Sequence, residues 1–223
     1  MIAWIVLSVI TVIILLMIFL LLFDTICHSK EKRGHKKAVY SILYHYAEEY
    51  DRYLLNDVEL YFDSEVPEPE HYDHILFGEK YIYVIQDFSA FGGIYGNSKD
   101  PTLFLRDEKS EKTTKIDNPL KIAERKVMLL EAAVGVSHEK HLFQSFTVYN
   151  NSLLVPPTIQ VKDGTNSLLP LKDLKQTIIE AEKDSVTSFE DQKTKDLVLA
   201  IKERSDAVKK DVQKRKKLAK KSR

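Results

Sequence analysis

The stretch that decides the fold is Asp73-His74-Ile75-Leu76-Phe77-Gly78-Glu79-Lys80-Tyr81-Ile82-Tyr83-Val84-Ile85. Two short apolar runs, the second rich in aromatic and β-branched residues, flank a glycine-containing turn. Such a pattern predicts a hairpin: a strand over 73–77, a tight turn at 78–80 and a strand over 81–85. Phe91-Gly92-Gly93-Ile94-Tyr95-Gly96 predicts a further short strand set between glycines. Upstream, Val39, Leu43, Tyr46, Ala47 and Tyr50 recur at helical spacing, so 36–50 reads as a helix. Leu54 to Phe62 alternates loosely and reads as a strand, followed by an acidic, proline-marked loop over 65–70.

Downstream, residues 97–118 read as a polar loop or irregular hairpin, with Thr102 to Leu105 a candidate edge strand. Asn118-Pro119 opens a helix, with Asn as N-cap and Pro in the first turn. Leu120, Ala123, Val127, Leu130 and Val134 form its apolar face, and Gly135 ends it. Strands follow at Leu142 to Tyr149 and Leu153 to Val155, and a helix over Leu171 to Ile179. This order predicts an α/β domain: a small mixed β-sheet flanked by helices on both faces.

The ends differ from this core. Ile2 to Phe23 is apolar except for Ser8 and Thr11, and no charged side chain occurs before Asp24. Roughly 20 such residues span a bilayer core as a helix. A cleaved signal peptide would need a basic start, a shorter apolar run and a small-residue cleavage site, none of which is present. Residues 1–24 therefore read as a retained transmembrane anchor and 25–35 as a basic juxtamembrane linker. Lys30, Lys32, Arg33, Lys36 and Lys37 crowd its C-terminal side. The positive-inside tendency then puts the N-terminus outside the cell membrane and residues 24–223 in the cytoplasm. The same lysines suit anionic lipid headgroups of the bilayer. Residues 36–170 form the α/β domain, and 171–223 a helical, Lys-rich C-terminal region. There Lys209, Lys210, Lys214, Arg215, Lys216, Lys217, Lys220, Lys221 and Arg223 face a single acid, Asp211. Leu197, Ile201, Val208 and Val212 add an intermittent helical stripe, so this end reads as a solvated basic helix or a frayed end. It is suited to lipid, DNA or RNA.

Over the whole chain, 33 basic residues balance 33 acidic ones, which excludes a globally basic nucleic-acid binder and a globally acidic protein. The single cysteine, Cys27, excludes an intramolecular disulfide. His71/His74 and His138/His141 are spaced three apart, but neither pair forms a zinc-protease motif. There is no phosphate-binding P-loop and no serine elbow. Gly92-Gly93-x-x-Gly96 lacks the following helix of a dinucleotide fingerprint.

Taken in order, five landmarks resemble the nuclease-related domain (NERD) family from Tyr72 to about Val155. They are Asp73 to Gly78, Tyr81 to Ile85, the Gly92/Gly93-Ile94-Tyr95-Gly96 run, Asn118-Pro119-Leu120 and Leu142 to Tyr149. That resemblance implies a restriction-endonuclease-like core. It also implies a metal site built from an aspartate on one strand, a Glu-x-Lys pair on the next and an acid on the first helix. Mg²⁺ takes hard oxygen ligands, and phosphodiester attack needs a positioned water. Asp73 matches the first acid. Gln86-Asp87-Phe88 stands where the family has Glu-x-Lys, and Asp87 would face the other side of its strand. The helix glutamate falls near Lys36, and Ile122 stands near the family's helix glutamine. Asp73, Gln86, Asp87 and Phe88 thus mark a vestigial or altered site. The resemblance implies an anchored, catalytically degenerate domain acting as an interaction or nucleic-acid-associated module. On this reading no cofactor is required, and a protein partner or nucleic acid is held at the inner membrane surface. Two alternatives stand beside it. One is an active Mg²⁺-dependent nuclease using Asp73, Asp87 and a lysine such as Lys80 or Lys99. The other is a structural membrane protein that binds no nucleic acid.

Overall fold

A computed structural model describes residues 2–62, 68–107, 112–135, 142–150, 153–156, 159, 166–183 and 191–221. Of 2–11, 20–28, 191 and 219–221 it describes the backbone alone. The His138/His141 pair and most of the acidic loop before Glu70 lie outside the described residues, as does the side chain of Cys27.

The hairpin that decides the fold forms the centre of a five-stranded sheet, in the order β1-β2-β3-β7-β9. Its strands are β1 (Tyr53–Leu60), β2 (Glu70–Phe77), β3 (Ile82–Phe88), β7 (Phe143–Tyr149) and β9 (Asn166–Pro170). The first three pair antiparallel, and β3, β7 and β9 pair parallel. Every residue of β7 is buried, as expected of a strand covered on both faces. β3 runs three residues past the predicted Ile85 end, because its pairing with β7 continues to Phe88↔Tyr149.

A second sheet replaces the expected loop and edge strand. It comprises β4 (Gly92–Tyr95), β5 (Thr102–Arg106), β6 (Thr113–Asp117) and β8 (Leu153–Leu154), in the order β6-β5-β4-β8. β5 is paired on both sides, with β4 and β6, and so is not an edge strand. The strand β6 escaped the sequence reading because Thr113 to Asp117 carries one apolar residue and is mostly exposed. β9 escaped it too. The architecture is mixed α/β with two mixed sheets, where the sequence predicted one. At Gly92, φ is +87° and a Cβ would run into the Arg106 carbonyl oxygen, so close pairing with β5 requires glycine.

Helices cover both faces of the larger sheet. α1 (Ile2–Glu49) runs unbroken through the predicted anchor, linker and first helix. Its Val39, Leu43, Tyr46 and Ala47 pack with Leu174 and Ile178 of α3 (Leu174–Lys183) over Tyr83, Ile85 and Val148. A single 3-10 turn, Leu171–Asp173, leads into α3. On the opposite face α2 (Pro119–Val134) and α4 (Asp191–Lys221) cover Val58, Tyr72, Ile75, Phe77, Ile82 and Val84. A third cluster, around Ile94, Leu103, Leu120 and Leu168, joins the two sheets.

The α2 caps are as predicted. Asn118 Oδ1 accepts from Leu120 N at 3.0 Å, and its Nδ2 donates to Ser98 O and Asp100 O. Gly135 closes the helix at φ +67°. α4 forms the basic helix read from the sequence, and upstream of its exposed basic end it is docked. Val198, Ile201, Ser205 and Val208 are buried, and Ser205 Oγ accepts from Glu59 N of β1 at 3.0 Å. Among the described residues no helix is long and apolar enough to cross a membrane. Most of the uncharged run 2–23 falls on residues of which the backbone alone is described.

Candidate functional site

The site begins with a fault in the β1–β2 pairing. Leu54 and Val58 lie four apart on one strand and should face the same side. Yet Leu54 packs in the α1-side core and Val58 in the α2-side core. Leu76 and Tyr72 of β2 divide in the same way. Between Asn56↔His74 and Val58↔Tyr72, both strands change face without changing register. The residues at the fault are Asp57, with φ +51°, and Asp73. A positive φ is uncommon for a residue with a side chain, and Asp tolerates it better than most.

This fault brings polar groups from both strands under α1, one turn before the buried Val39. Lys36 Nζ donates to Asp57 Oδ1 at 2.7 Å and stands 3.6 Å from Asp73 Oδ1. His71 Nε2 lies 3.4 Å from Asp73 Oδ1 and 3.9 Å from Asp57 Oδ1. The other oxygen of Asp73, Oδ2, accepts from Asp87 N at 3.2 Å. Next to it, His74 is buried between Asn56 Oδ1 at 2.6 Å and Asp87 Oδ2 at 3.3 Å, and the Tyr40 ring stacks on it. His35 reaches Val148 O at 3.0 Å.

Charge follows from these contacts. Burial pushes the Asp73 carboxyl up. The hydrogen bonds from His71 and Asp87 N, with the charges of Lys126 and His71, outweigh it and leave the carboxyl lowered to about 2. Asp57 is lowered chiefly by its bond to Lys36. Burial lowers Lys36, but Asp57, Asp73 and Asp87 together raise it above its ordinary value. Lys126 of α2 is buried beside the Tyr72 ring, and desolvation lowers its pKa.

The sequence-predicted residues divide between two faces. Asp87 alternates with Ile85 and Tyr83 and shares their α1 side. Gln86 alternates with Val84 and Ile82 toward the other side, and Phe88 packs into the third core. Oε1 of Gln86 and Oδ1 of Asp87 are buried without a hydrogen-bond partner. Lys80 sits at the hairpin turn, with its N–H on Glu182, at the far end of β2 from Asp73. Lys99 belongs to the β4–β5 turn, where its N–H meets Asn97 Oδ1. Neither is placed with Asp73 by any contact described.

Of the lysines and arginine assigned to the membrane flank, Lys30, Lys32, Arg33 and Lys37 are exposed, and Lys36 turns into the site. In α4, Lys210, Lys214, Arg215, Lys216 and Lys217 are exposed, and Lys209 is half-buried. Arg215 pairs with Asp211 at 2.7 Å and lies over the Tyr61 ring. The side chains of Lys220 and Lys221, and all of Arg223, lie outside the described residues.

Sequence reasoning missed Asp57, Asn56, the pairing role of His71 and His74, and the position of Lys36 in the cluster. The signals available were the two histidines flanking Asp73 and the acid in β1. Their meaning depended on a fault that no periodicity reveals. As a metal site the arrangement does not fit. Gln86 and Phe88 flank Asp87 in β3 and pack on other sides of the strand. The two aligned carboxylates already hold an ammonium. Among the described residues, no group of three or more His, Cys, Asp or Glu side chains is disposed to hold a metal ion.

A family model described as nuclease-related domain matches residues 30–153, more than half of the chain. No match was found among curated proteins or among solved structures.

Proposed function

The chain belongs to the nuclease-related domain family, and from that premise we propose a member that keeps a restriction-endonuclease-like scaffold without metal-dependent cleavage. It acts as a membrane-anchored module that holds nucleic acid by charge. The observation that carries this reading is the state of Asp73. Its two oxygens are engaged by Lys36, His71 and the Asp87 N–H, while Gln86 and Phe88 replace the pair that would complete a metal centre. A neutral amide is a poor Mg²⁺ ligand, and a phenyl ring neither orients water nor carries charge.

Two further features support the cellular arrangement. Val12 to Phe19 is apolar and exposed along α1, from 47% at Ile18 to 64% at Val12, which suits a lipid surrounding for residues 2–23. The basic flank at Lys30, Lys32, Arg33 and Lys37 favours a cytoplasmic domain. The exposed lysines at the end of α4 supply a cationic surface on a helix docked through its upstream part, which supports phosphate-backbone binding.

The test is incubation of the full chain, purified in detergent, with Mg²⁺ or Mn²⁺ and single- and double-stranded DNA and RNA. No cleavage is expected. Binding should weaken steeply between low and moderate salt, and weaken further without residues 209–223. Cleavage abolished by Asp73→Ala would establish the active nuclease instead. Retention on anionic vesicles with no retention of nucleic acid would make lipid the ligand of α4.

A further inference from the structure

One exposed face of α1 carries Lys30, Arg33, Lys37, Tyr40 and Tyr44, spaced three and four residues apart. Three cations thus lead into two aromatic rings. The one acid between Lys30 and Tyr44 is Glu31, whose Oε1 accepts from Asn150 Nδ2 at 3.0 Å, next to β7. Asp57, on β1, is bonded to Lys36 at 2.7 Å. The first two turns of the face are therefore cationic. Tyr40 and Tyr44 are 41% and 46% exposed, with ring centroids 5.9 Å apart and planes tilted by 40°. The buried His74 ring stacks on Tyr40 at 6.5 Å, so that ring is held beside the candidate site.

Cations one turn apart match the phosphates of a nucleic-acid strand, and exposed tyrosine rings match the faces of its bases. From Arg33 to Tyr44 the face is about 17 Å long at 1.5 Å per residue, the reach of about five stacked nucleotides. A duplex offers the same phosphates but keeps its bases stacked inside, so only an unpaired strand engages both halves of the face. An anionic membrane would suit the cations alone. With residues 2–23 in a bilayer, the headgroup layer beyond Phe23 is about 5–8 Å deep, whereas Tyr40 and Tyr44 stand about 25 and 31 Å further along the helix. We propose that this face of α1 binds single-stranded nucleic acid, with phosphates on Arg33 and Lys37 and bases on Tyr40 and Tyr44. This deepens the reading of the protein as a module that holds nucleic acid, and rests on it: α4 supplies charge, and α1 supplies the choice of strand.

Fluorescence anisotropy of the full chain in detergent, with a labelled oligothymidylate and a labelled duplex of the same length, measures this. The wild type should bind the single strand more tightly. Tyr40→Ala/Tyr44→Ala should lower single-strand affinity about ten- to a hundredfold, as the loss of one or two stacked bases implies, and leave duplex affinity and the salt slope unchanged. Tyr40→Phe/Tyr44→Phe should bind as the wild type does. Arg33→Ala/Lys37→Ala should weaken both ligands and flatten the salt slope. Circular dichroism establishes that each variant is folded. Should the double alanine variant not fold, Tyr44→Ala decides, because it leaves the Tyr40–His74 stack in place and should still lose single-strand affinity. Equal affinity of the wild type for strand and duplex, or a folded tyrosine-to-alanine variant that binds the strand as the wild type does, overturns this inference and leaves charge-held nucleic acid on α4 standing. A variant that keeps the strand but loses phosphatidylserine mixed into the micelles makes the face a lipid surface, which overturns it too. No binding of either oligonucleotide by the wild type overturns both readings.

Discussion

Asp73 is held by groups from two strands and a helix, and its titration records the balance. Its folded pKa is about 2, against 3.8 for the free side chain. A lowered pKa contributes stability that is present above the unfolded value and lost as pH falls through the folded one. The difference is about 2 kcal/mol, little reduced by solvent because the side chain is only 16% exposed. Asp73→Asn is thus expected to unfold about 2 kcal/mol more easily at pH 6. The gap from wild type should close between pH 4 and pH 2, which thermal unfolding across that range would reveal. A gap constant down to pH 2 would mean that the carboxylate charge is not what these partners stabilise. Asp73 was legible in the sequence through its place at the head of an apolar strand. Lys36 was legible as a flank residue and as the loss of a helix acid, and the structure places its ammonium between Asp57 and Asp73.

Among the elements, α4 was read as a basic helix with an intermittent apolar stripe, and the structure adds its docking. A stretch with nine basic residues near its end reads as a tail, because charge dominates composition. The structure shows four buried positions, Val198, Ile201, Ser205 and Val208, at three- and four-residue spacing against β1. That narrow stripe is enough to dock a helix when β1 otherwise leaves Val58 and Leu60 uncovered. Ile201→Ala should destabilise the fold by about 2–4 kcal/mol, as large-to-small core substitutions do. The melting temperature of the variant against Lys216→Ala, which changes an exposed residue, measures this. Equal melting points would mean that α4 is only a tail. By contrast α2 was read correctly from cap to cap. Asn118, Pro119 and Gly135 act through local backbone geometry, which sequence spacing captures.

At the scale of the whole molecule, α1 joins the uncharged run to the site in one unbroken helix. The uncharged run, the basic flank and Lys36 therefore share one helix, and the candidate site begins about a dozen residues after Phe23. If residues 2–23 lie in a bilayer, alkaline carbonate should leave the full chain with membranes and release a chain lacking residues 1–24. Release of the full chain would remove the anchor from the proposal. The sequence by itself determined the mixed α/β class, the hairpin, the α2 helix and the family. These follow from local periodicity, capping and residue identity. Only the tertiary structure decided the second sheet, the docking of α4 and the meeting of Lys36 with Asp57, His71 and Asp73. The second sheet is closed by pairing of Gly92 with the distant Leu153, α4 meets β1 through Glu59 and Ser205, and Lys36 meets Asp57 across 21 residues; the last depends on a paired change of face in β1 and β2. A fault of that kind leaves no period in the sequence, because it exists only where two strands lie side by side.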